Sequence, residues 1–401
     1  MTSVLLRCVL RHFYELRAKL LRKGFVCNAL QGASEYNISI NCDMTVSCNC
    51  QDDGSGILGS LDDNSFEEIF FGPKANSFRA SLAGGKLPIL TCARCSELKR
   101  VPAAVGSCQM IVDKGATDVC RKPASPETPT TNIHQLATPS MPCLPHRGLL
   151  VENTIACNLH CPGCIRPAVQ KIRKKTRLSL DDVRKVAELI QRLNLEKLFY
   201  FNRGEPFLSP YILDEMKIIR ELNPDLHIVT STNGMFLDTD AKRAAALLMD
   251  EVIFSIDGCD QESLQKYQRG GDFEKSLNNL RALVQFRDAR GLKVPQIEWK
   301  YLLFNWNDQP RQIAKAIRLA AATREPIDKS LNEGCSRSGL NNPTTHQPIN
   351  SSTESASPGA DLISFWPTNN PAYGISWRYR LGLLNRIGTK SWKGREVRIA
   401  R

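Results

Sequence analysis

Three thiols stand within one short loop, Cys157-Asn158-Leu159-His160-Cys161-Pro162-Gly163-Cys164. Each iron of a [4Fe–4S] cube takes a thiolate, so a C-x3-C-x2-C loop can hold three corners and leave the fourth iron open to a substrate or cofactor. Zinc is the rival occupant. It generally needs a fourth nitrogen or sulfur ligand, and His160 lies too close to its neighbouring cysteines to complete a tetrahedron easily.

Further polar residues follow at intervals: Gly204-Glu205-Pro206, Ser231-Thr232-Asn233-Gly234, Ser255 and Asp257-Gly258. Singly, each reads as a plain turn, because Asn-Gly and Asp-Gly are ordinary turn dipeptides. Their place in the hydrophobic pattern sets them apart. Leu149-Leu150-Val151 runs into the cysteine loop, Leu198 to Phe201 into Gly204, Leu226 to Thr230 into Ser231, and Val252 to Ile256 into Asp257. These apolar runs predict strands, and the amphipathic stretches between them predict helices. Ser179, with Asp182 three residues on, marks one helix start running through Leu193. The helix from Asp272 to Arg290 stacks Phe273, Leu277, Leu280 and Val284 on one face and stops at Gly291. Ile297 to Phe304 and Asp361 to Trp366 add a fifth and a sixth strand, with a helix from Asp308 to about Ala322. Such alternation predicts a parallel α/β sheet or barrel, in which ligand sites gather at the carboxyl ends of the strands.

The C-x3-C-x2-C spacing, the residues Val151 to Ala156 ahead of it, and the ordered series of strand-end motifs resemble the radical S-adenosylmethionine (SAM) superfamily. The resemblance covers residues 149–325 and, weakly, 361–379. It implies a partial (β/α)6 barrel and an enzyme in which Cys157, Cys161 and Cys164 hold a [4Fe–4S] cluster whose open iron chelates SAM. One electron then cleaves the sulfonium to methionine and a 5′-deoxyadenosyl radical, which takes hydrogen from an unactivated carbon. The resemblance further implies that Gly204, Glu205 and Pro206 receive the SAM ammonium, and that Ser231, Asn233, Ser255 and Asp257 contact its carboxylate and ribose. Two positions depart from the family pattern. Arg203 stands where the first glycine of a Gly-Gly-Glu-Pro motif usually lies, and Gly163 where an aromatic often precedes the last cysteine. Cys259 is either a hydrogen donor to a substrate radical or a buried, inert thiol.

Upstream, Cys42, Cys48, Cys50, Cys92 and Cys95 surround a turn at Gly54-Ser55-Gly56 and a helix opened by Ser65 with Glu68. Thiols joined by a turn and a helix suit a metal-nucleated miniature domain. The arrangement resembles the SPASM-type auxiliary cluster domains that accompany many radical SAM enzymes, here ahead of the barrel rather than after it. It implies a second iron–sulfur cluster with ligands among those five cysteines; a structural zinc and scattered buried thiols are the other readings.

The 401 residues divide by composition into a basic amphipathic helix (1–26), a cysteine-rich SPASM-like domain (27–98), a Pro-rich linker (99–147), the barrel (148–325), a disordered insertion too polar to offset its ordering entropy (326–359), and a last strand with an aromatic, basic tail (360–401). No apolar run approaches the ~18 residues of a membrane span. The net charge of +12 favours anionic partners, nucleic acid among them. The run Lys171, Arg173, Lys174, Lys175 and Arg177 reads as a solvated basic face. Fifteen cysteines without an apolar leader point to a reducing compartment, the cytoplasm, rather than to a secreted disulfide framework. Expected partners are SAM, a reductant such as flavodoxin or ferredoxin, and a peptide, protein or sugar-like small-molecule substrate. The rival functions are an iron–sulfur electron carrier or scaffold that cleaves no SAM, and a radical SAM enzyme that modifies RNA.

Overall fold

A computed structural model describes residues 2–21, 23–48, 54–102, 142–321, 360–368, 370–384, 390–392 and 395–399. Cys50, most of the Pro-rich linker and the 326–359 insertion lie outside the described residues. The chain forms two compact units: Met1–Asn158 with Cys164–Thr232 and Ala244–Asp250, and Leu159–Gly163 with Asn233–Arg243 and Glu251–Arg401.

In the first unit α1 (Thr2–Leu20) gives way to β1 (Lys23–Cys27), so the basic helix ends several residues before Phe25. Leu87 N–H donates to Glu15 of α1, while Val9, Phe13, Leu16 and Leu20 stay exposed. Then come β2 (Ile38–Ile40), β3 (Thr45–Cys48), β4 (Ile57–Ser60), α2 (Phe66–Phe70), α3 (Pro73–Ala83) and β5 (Leu98–Pro102). Ser65 and Glu68 form the expected capping box on α2. After the linker follow β6 (Gly148–Val151), α4 (Arg166–Gln170), α5 (Leu180–Leu193), β7 (Lys197–Phe199), α6 (Ile212–Leu222) and β8 (His227–Thr232).

Strands β6, β7 and β8 are parallel, as the alternating pattern predicts. The cysteine-rich segment continues this sheet: β2 pairs in parallel with β6, Ile40 opposite Val151, and β3 and β4 add antiparallel strands beyond it. β1 and β5 form a separate antiparallel pair. Leu149, Val151, Leu198 and Ile228 are fully or almost fully buried, as is the apolar face of α5 at Val183, Val186 and Ile190. Burial of this kind contributes about 25 cal/mol per Å² of apolar surface.

α7 (Asp240–Ala246) leads to the second unit's β9 (Glu251–Ser255), α8 (Gln261–Gln265), α9 (Phe273–Asp288), β10 (Gln296–Leu303), α10 (Pro310–Ala321), β11 (Leu362–Pro367), α11 (Trp377–Arg380), β12 (Lys390–Trp392) and β13 (Arg395–Ile399). β10 is parallel to both β9 and β11, and β11 is parallel to β13, which the sequence did not signal. Asp361 anchors the sixth strand: its carboxylate pairs with Arg287 of α9 and accepts from Ile297 N–H at 2.8 Å. The architecture is mixed α/β with parallel strands carrying the expected motifs at their carboxyl ends. No helix among the described residues is long and apolar enough to cross a membrane.

The helix α5 starts on Ser179, whose hydroxyl accepts from Asp182 N–H while Asp182 accepts from Ser179 N–H, and it stops at Asn194, a left-handed residue with φ of 49°. Replacing Ser179 by Ala removes one arm of this box and is expected to cost about 1 kcal/mol. Urea unfolding checks it: the midpoint falls while the slope of free energy against urea is unchanged.

Candidate functional site

The cysteine loop grows from two stems that are stitched to each other in the first unit. Ile155 N–H donates to Thr176 O at 3.0 Å, Leu178 N–H to Asn153 O at 2.8 Å, and the Thr154 hydroxyl to Thr176 O at 2.9 Å. Below these bonds Arg173 Nε donates to Glu152 Oε1 at 2.9 Å, with side chains only 1% and 0% exposed. Arg173 therefore belongs to a buried ion pair and not to a solvated face, which corrects the reading of the basic run. The remaining donor Arg173 Nη1 and acceptor Glu152 Oε2 have no hydrogen-bond partner among the described residues. Of the loop thiols, Cys157 and Cys161 are half-buried and Cys164 is exposed, and Arg166 N–H points to Cys164 Sγ at 3.4 Å.

Gly204-Glu205-Pro206 closes onto the same stem. Glu205 N–H donates to Ala156 O at 2.8 Å, one residue before Cys157. A Cβ at Gly204 would lie 1.9 Å from Thr154 O, so only glycine permits this approach. The Glu205 carboxylate is buried and accepts from the Thr232 hydroxyl at 2.6 Å and from Phe207 N–H at 3.3 Å. Thr232, which sequence reasoning did not single out, makes this contact; its neighbour Ser231 is a half-buried residue inside β8. Sequence reasoning also passed over Glu215 of α6. Its carboxylate accepts from Asn153 Nδ2 at 3.1 Å, from the Tyr200 hydroxyl at 2.9 Å and from the Ser209 hydroxyl. Burial raises the Glu215 pKa against those donors. A helical glutamate carries no signal in sequence that it will face inward.

In the second unit Asn233 folds its Oδ1 onto Met235 N–H at 3.0 Å, and Gly234 takes a φ of 81°. Ser255 ends β9, and its carbonyl accepts from Gln268 Nε2 at 2.8 Å. Asp257 is buried: Oδ1 accepts from Leu302 N–H at 2.9 Å, its own N–H donates to Gln268 Oε1, and its carbonyl accepts from Asn307 Nδ2. It thus ties the end of β9 to β10. Cys259 is fully buried, with its thiol raised in pKa by burial and the neighbouring Asp260 charge.

The upstream thiols separate into two sets. Cys42 is fully buried, donates Sγ–H to Lys175 O at 3.2 Å, and packs with Ile155 and Val169 beside the Glu152–Arg173 pair. Cys48 and Cys95 instead lie close enough to Cys92, and to Cys27, a residue that sequence reasoning passed over, to act on both thiols. Cys27 sits opposite Leu98 in the β1–β5 ladder, three residues from Cys95. Cys48 sits opposite Ile38, and the adjacent Asn37 holds Glu97 through a 2.6 Å bond. Burial pushes the Cys27 thiol up, with Cys48 and Cys95 adding to the shift, and it pushes the Cys92 thiol up to about 12, with the same two neighbours. Cys50 lies outside the described residues. Among the described residues no three His, Cys, Asp or Glu side chains converge on a position for a single metal ion. A cube asks less, since each thiolate binds its own corner iron.

A thiol loop at the end of a parallel strand, followed by strand-end polar turns, defines a cluster-holding α/β domain. Residues 152–288 match the family model of the Radical SAM superfamily, so the chain carries a radical SAM domain, of a family that uses a [4Fe–4S] cluster and SAM. Over 136 residues it is 25% identical to a GTP 3′,8-cyclase of Limosilactobacillus fermentum, covering 34% of this chain and 41% of that protein. Over 88 residues it is 30% identical to a PqqA peptide cyclase of Streptomyces rochei, covering 22% and 24%. The chain thus spans less than half the length of the curated relatives it matches. Among solved structures, native anSMEcpe with bound AdoMet aligns over 42% of this chain and 47% of its own at 16% identity, with a TM-score of 0.33.

Two outcomes are expected. Replacing Arg173 by Ala leaves Glu152 buried without its cation and is expected to cost 3–5 kcal/mol, read by denaturant unfolding, whereas Arg173→Lys retains part of the stability. Burial raises the Asp257 pKa to about 7, against the Leu302 N–H bond and the Lys300 charge. The folded state then keeps a proton that the unfolded chain releases near pH 4, so this contribution is full below pH 4 and is lost as pH rises through 7. Asp257→Asn is expected to remove a decline of roughly 4 kcal/mol across that window, measured as unfolding free energy at a series of pH values.

Proposed function

We propose that the chain is a radical SAM enzyme that removes a hydrogen atom from carbon in a peptide, protein or sugar-like substrate. The observation that carries this reading is the cysteine loop itself, with both of its stems locked by the 152–178 hydrogen bonds and the Gly204-Glu205 backbone laid against its first stem. Its donor set fits the cofactor: Cys157, Cys161 and Cys164 would hold a [4Fe–4S] cluster by three thiolates, which leaves one iron for SAM. The chemistry supplied by the bound pair is reductive cleavage of the sulfonium to a 5′-deoxyadenosyl radical, which takes hydrogen from unactivated carbon.

The chain's own residues bind and orient. Glu205, buried and fixed by Thr232 and Phe207, offers positioned acceptor oxygens to an ammonium group, and a charge-assisted bond of this kind is roughly twice as strong as a neutral one. Gly204 and Pro206 shape the turn that carries it, and Ser231, Asn233, Ser255 and Asp257 supply strand-end polar groups for the carboxylate and ribose. Cys27, Cys48, Cys92 and Cys95 form a second thiolate site for an auxiliary iron–sulfur cluster, in which Cys27 replaces Cys42. The relatives' names, a GTP cyclase and a peptide cyclase, support a small-molecule or peptide substrate without choosing between them. A flavodoxin or ferredoxin supplies the electron, and the thiol-rich chain works in the reducing cytoplasm.

Anaerobic reconstitution with iron and sulfide, followed by dithionite and SAM, tests both sites. Wild type is expected to release 5′-deoxyadenosine. The triple variant Cys157→Ala, Cys161→Ala, Cys164→Ala is expected to release none while keeping iron at the auxiliary site; continued SAM cleavage by it sinks the proposal. The pair Cys27→Ser, Cys92→Ser is expected to lose the auxiliary iron, and zinc in place of iron in the wild type would make that second site structural. Cluster uptake without any SAM cleavage identifies an electron carrier instead.

A further inference from the structure

An open groove of about 650 Å³ lies in the second unit among Arg269, Asn305, Trp306 and Tyr373, with Glu262, Gln265 and Lys266 completing its lining. Within the same unit the carbonyl of its lining residue Arg269 accepts from His160 N–H at 3.0 Å. That volume suits a nucleotide-sized or dipeptide-sized ligand, within the roughly 300–1,000 Å³ of small-molecule sites.

Three features of the lining select the occupant. The first is charge. Lys266 Nζ lies 2.9 Å from Glu262 Oε1, so these two neutralise each other. The exposed Arg269 guanidinium has no carboxylate partner among the described residues, and its fork of donors matches a carboxylate or phosphate. The second is a stack of rings: Phe304 and Trp306 lie 4.6 Å apart at 5°, and Tyr373 follows at 6.2 Å and 30°. A Cβ at Gly374 would meet Trp306 Cη2 at 2.7 Å, so glycine is what lets the 372–374 turn settle onto the indole. Tyr373 at the end of the stack is 62% exposed, which leaves aromatic surface for a planar ligand group. The third is a pair of amides. Asn305 Nδ2 donates to Tyr373 O at 2.8 Å and Gln265 Nε2 to Gly271 O at 3.4 Å. Their oxygens accept from nothing among the described residues and are acceptors for ligand N–H groups.

We propose that this groove is the substrate site, and that it takes a ligand in which a planar group with N–H donors is joined to a phosphate or carboxylate. Only the word substrate rests on the radical SAM reading; binding does not. A nucleoside monophosphate and an aromatic–acidic peptide segment share this chemistry, and the probes separate them.

Full-length chain, reconstituted anaerobically, is titrated calorimetrically with guanosine monophosphate, guanosine, inorganic phosphate, and a blocked dipeptide of tyrosine and glutamate. One of the two joined probes is expected to bind at least ten times more tightly than guanosine or phosphate, and the winner names the source. Arg269→Ala is expected to weaken it at least tenfold and Arg269→Lys less; Tyr373→Ala is expected to weaken it, and Tyr373→Phe to preserve it. Wild-type affinity in Arg269→Ala, or no binding of either joined probe, overturns the proposal. The same preparation is assayed for 5′-deoxyadenosine: SAM cleavage without probe binding removes the groove and leaves the radical reading, whereas binding without SAM cleavage removes the radical reading and leaves a ligand site.

Discussion

The buried pairing of Glu152 with Arg173 is the constraint on which the loop depends. A loop that must present three thiols has little regular structure of its own, so its geometry is set where the chain enters and leaves it. Glu152 stands just ahead of Cys157 and Arg173 just after Cys164, and their contact closes the stems with both side chains almost entirely out of water. Desolvating two charges costs several kcal/mol per ion, and Coulomb attraction repays it only when the geometry is good. An apolar pair could close the stems as firmly, but it would tolerate sliding. A directional bond reinforced by the 153–178 and 155–176 backbone bonds fixes the register of one stem against the other.

The same unit ties the motif after β7 to this base. Gly204 is required by a backbone approach that no side chain survives, and Glu205 N–H then fastens to the carbonyl just before Cys157. Arg203 precedes this approach without preventing it, since the close contact with Thr154 O falls on Gly204. Glu215 gathers Asn153, Tyr200 and Ser209 around a single carboxylate and so joins the first stem to the region of β7 and α6. Its neutral form is favoured by burial, which removes part of the penalty of placing an acid there.

What could be read in advance follows from the range of each signal. Capping by Ser179 and Ser65, the strand and helix alternation, and the glycines of the turns are local, and they leave marks within a few residues. The cysteine spacing is local too, which is why the loop stands out. Arg173 looked solvated because it sits in a run of cations, and only the arrival of Glu152 from the other stem buries it. Cys27 went unnoticed for a related reason: it lies alone in a short apolar strand, and its link to Cys92 and Cys95 is made by a ladder to β5 some seventy residues on. Cys42 was the more conspicuous thiol, next to Cys48 in the chain, yet strand β2 carries it past the others toward Ile155 and Val169. Proximity in sequence does not survive a strand that crosses from one ladder to another.

The two thiol sets differ in a way that bears on their roles. Cys27 and Cys92 are buried or half-buried and strongly disfavour ionisation, so a metal bound there, as proposed, would expel protons as metal–sulfur bonds form and would add to folding stability. Four thiols around one cluster would close such a site, with no position left for an exogenous ligand. The central loop has three thiols, one of them exposed, and would leave a coordination position open. Closed sites suit structure or electron transfer, and open ones suit chemistry, as with structural and catalytic zinc. Under the proposed reading, the count of thiolates, more than the identity of the metal, is what would separate a catalytic part for Cys157, Cys161 and Cys164 from a supporting part for the N-terminal four.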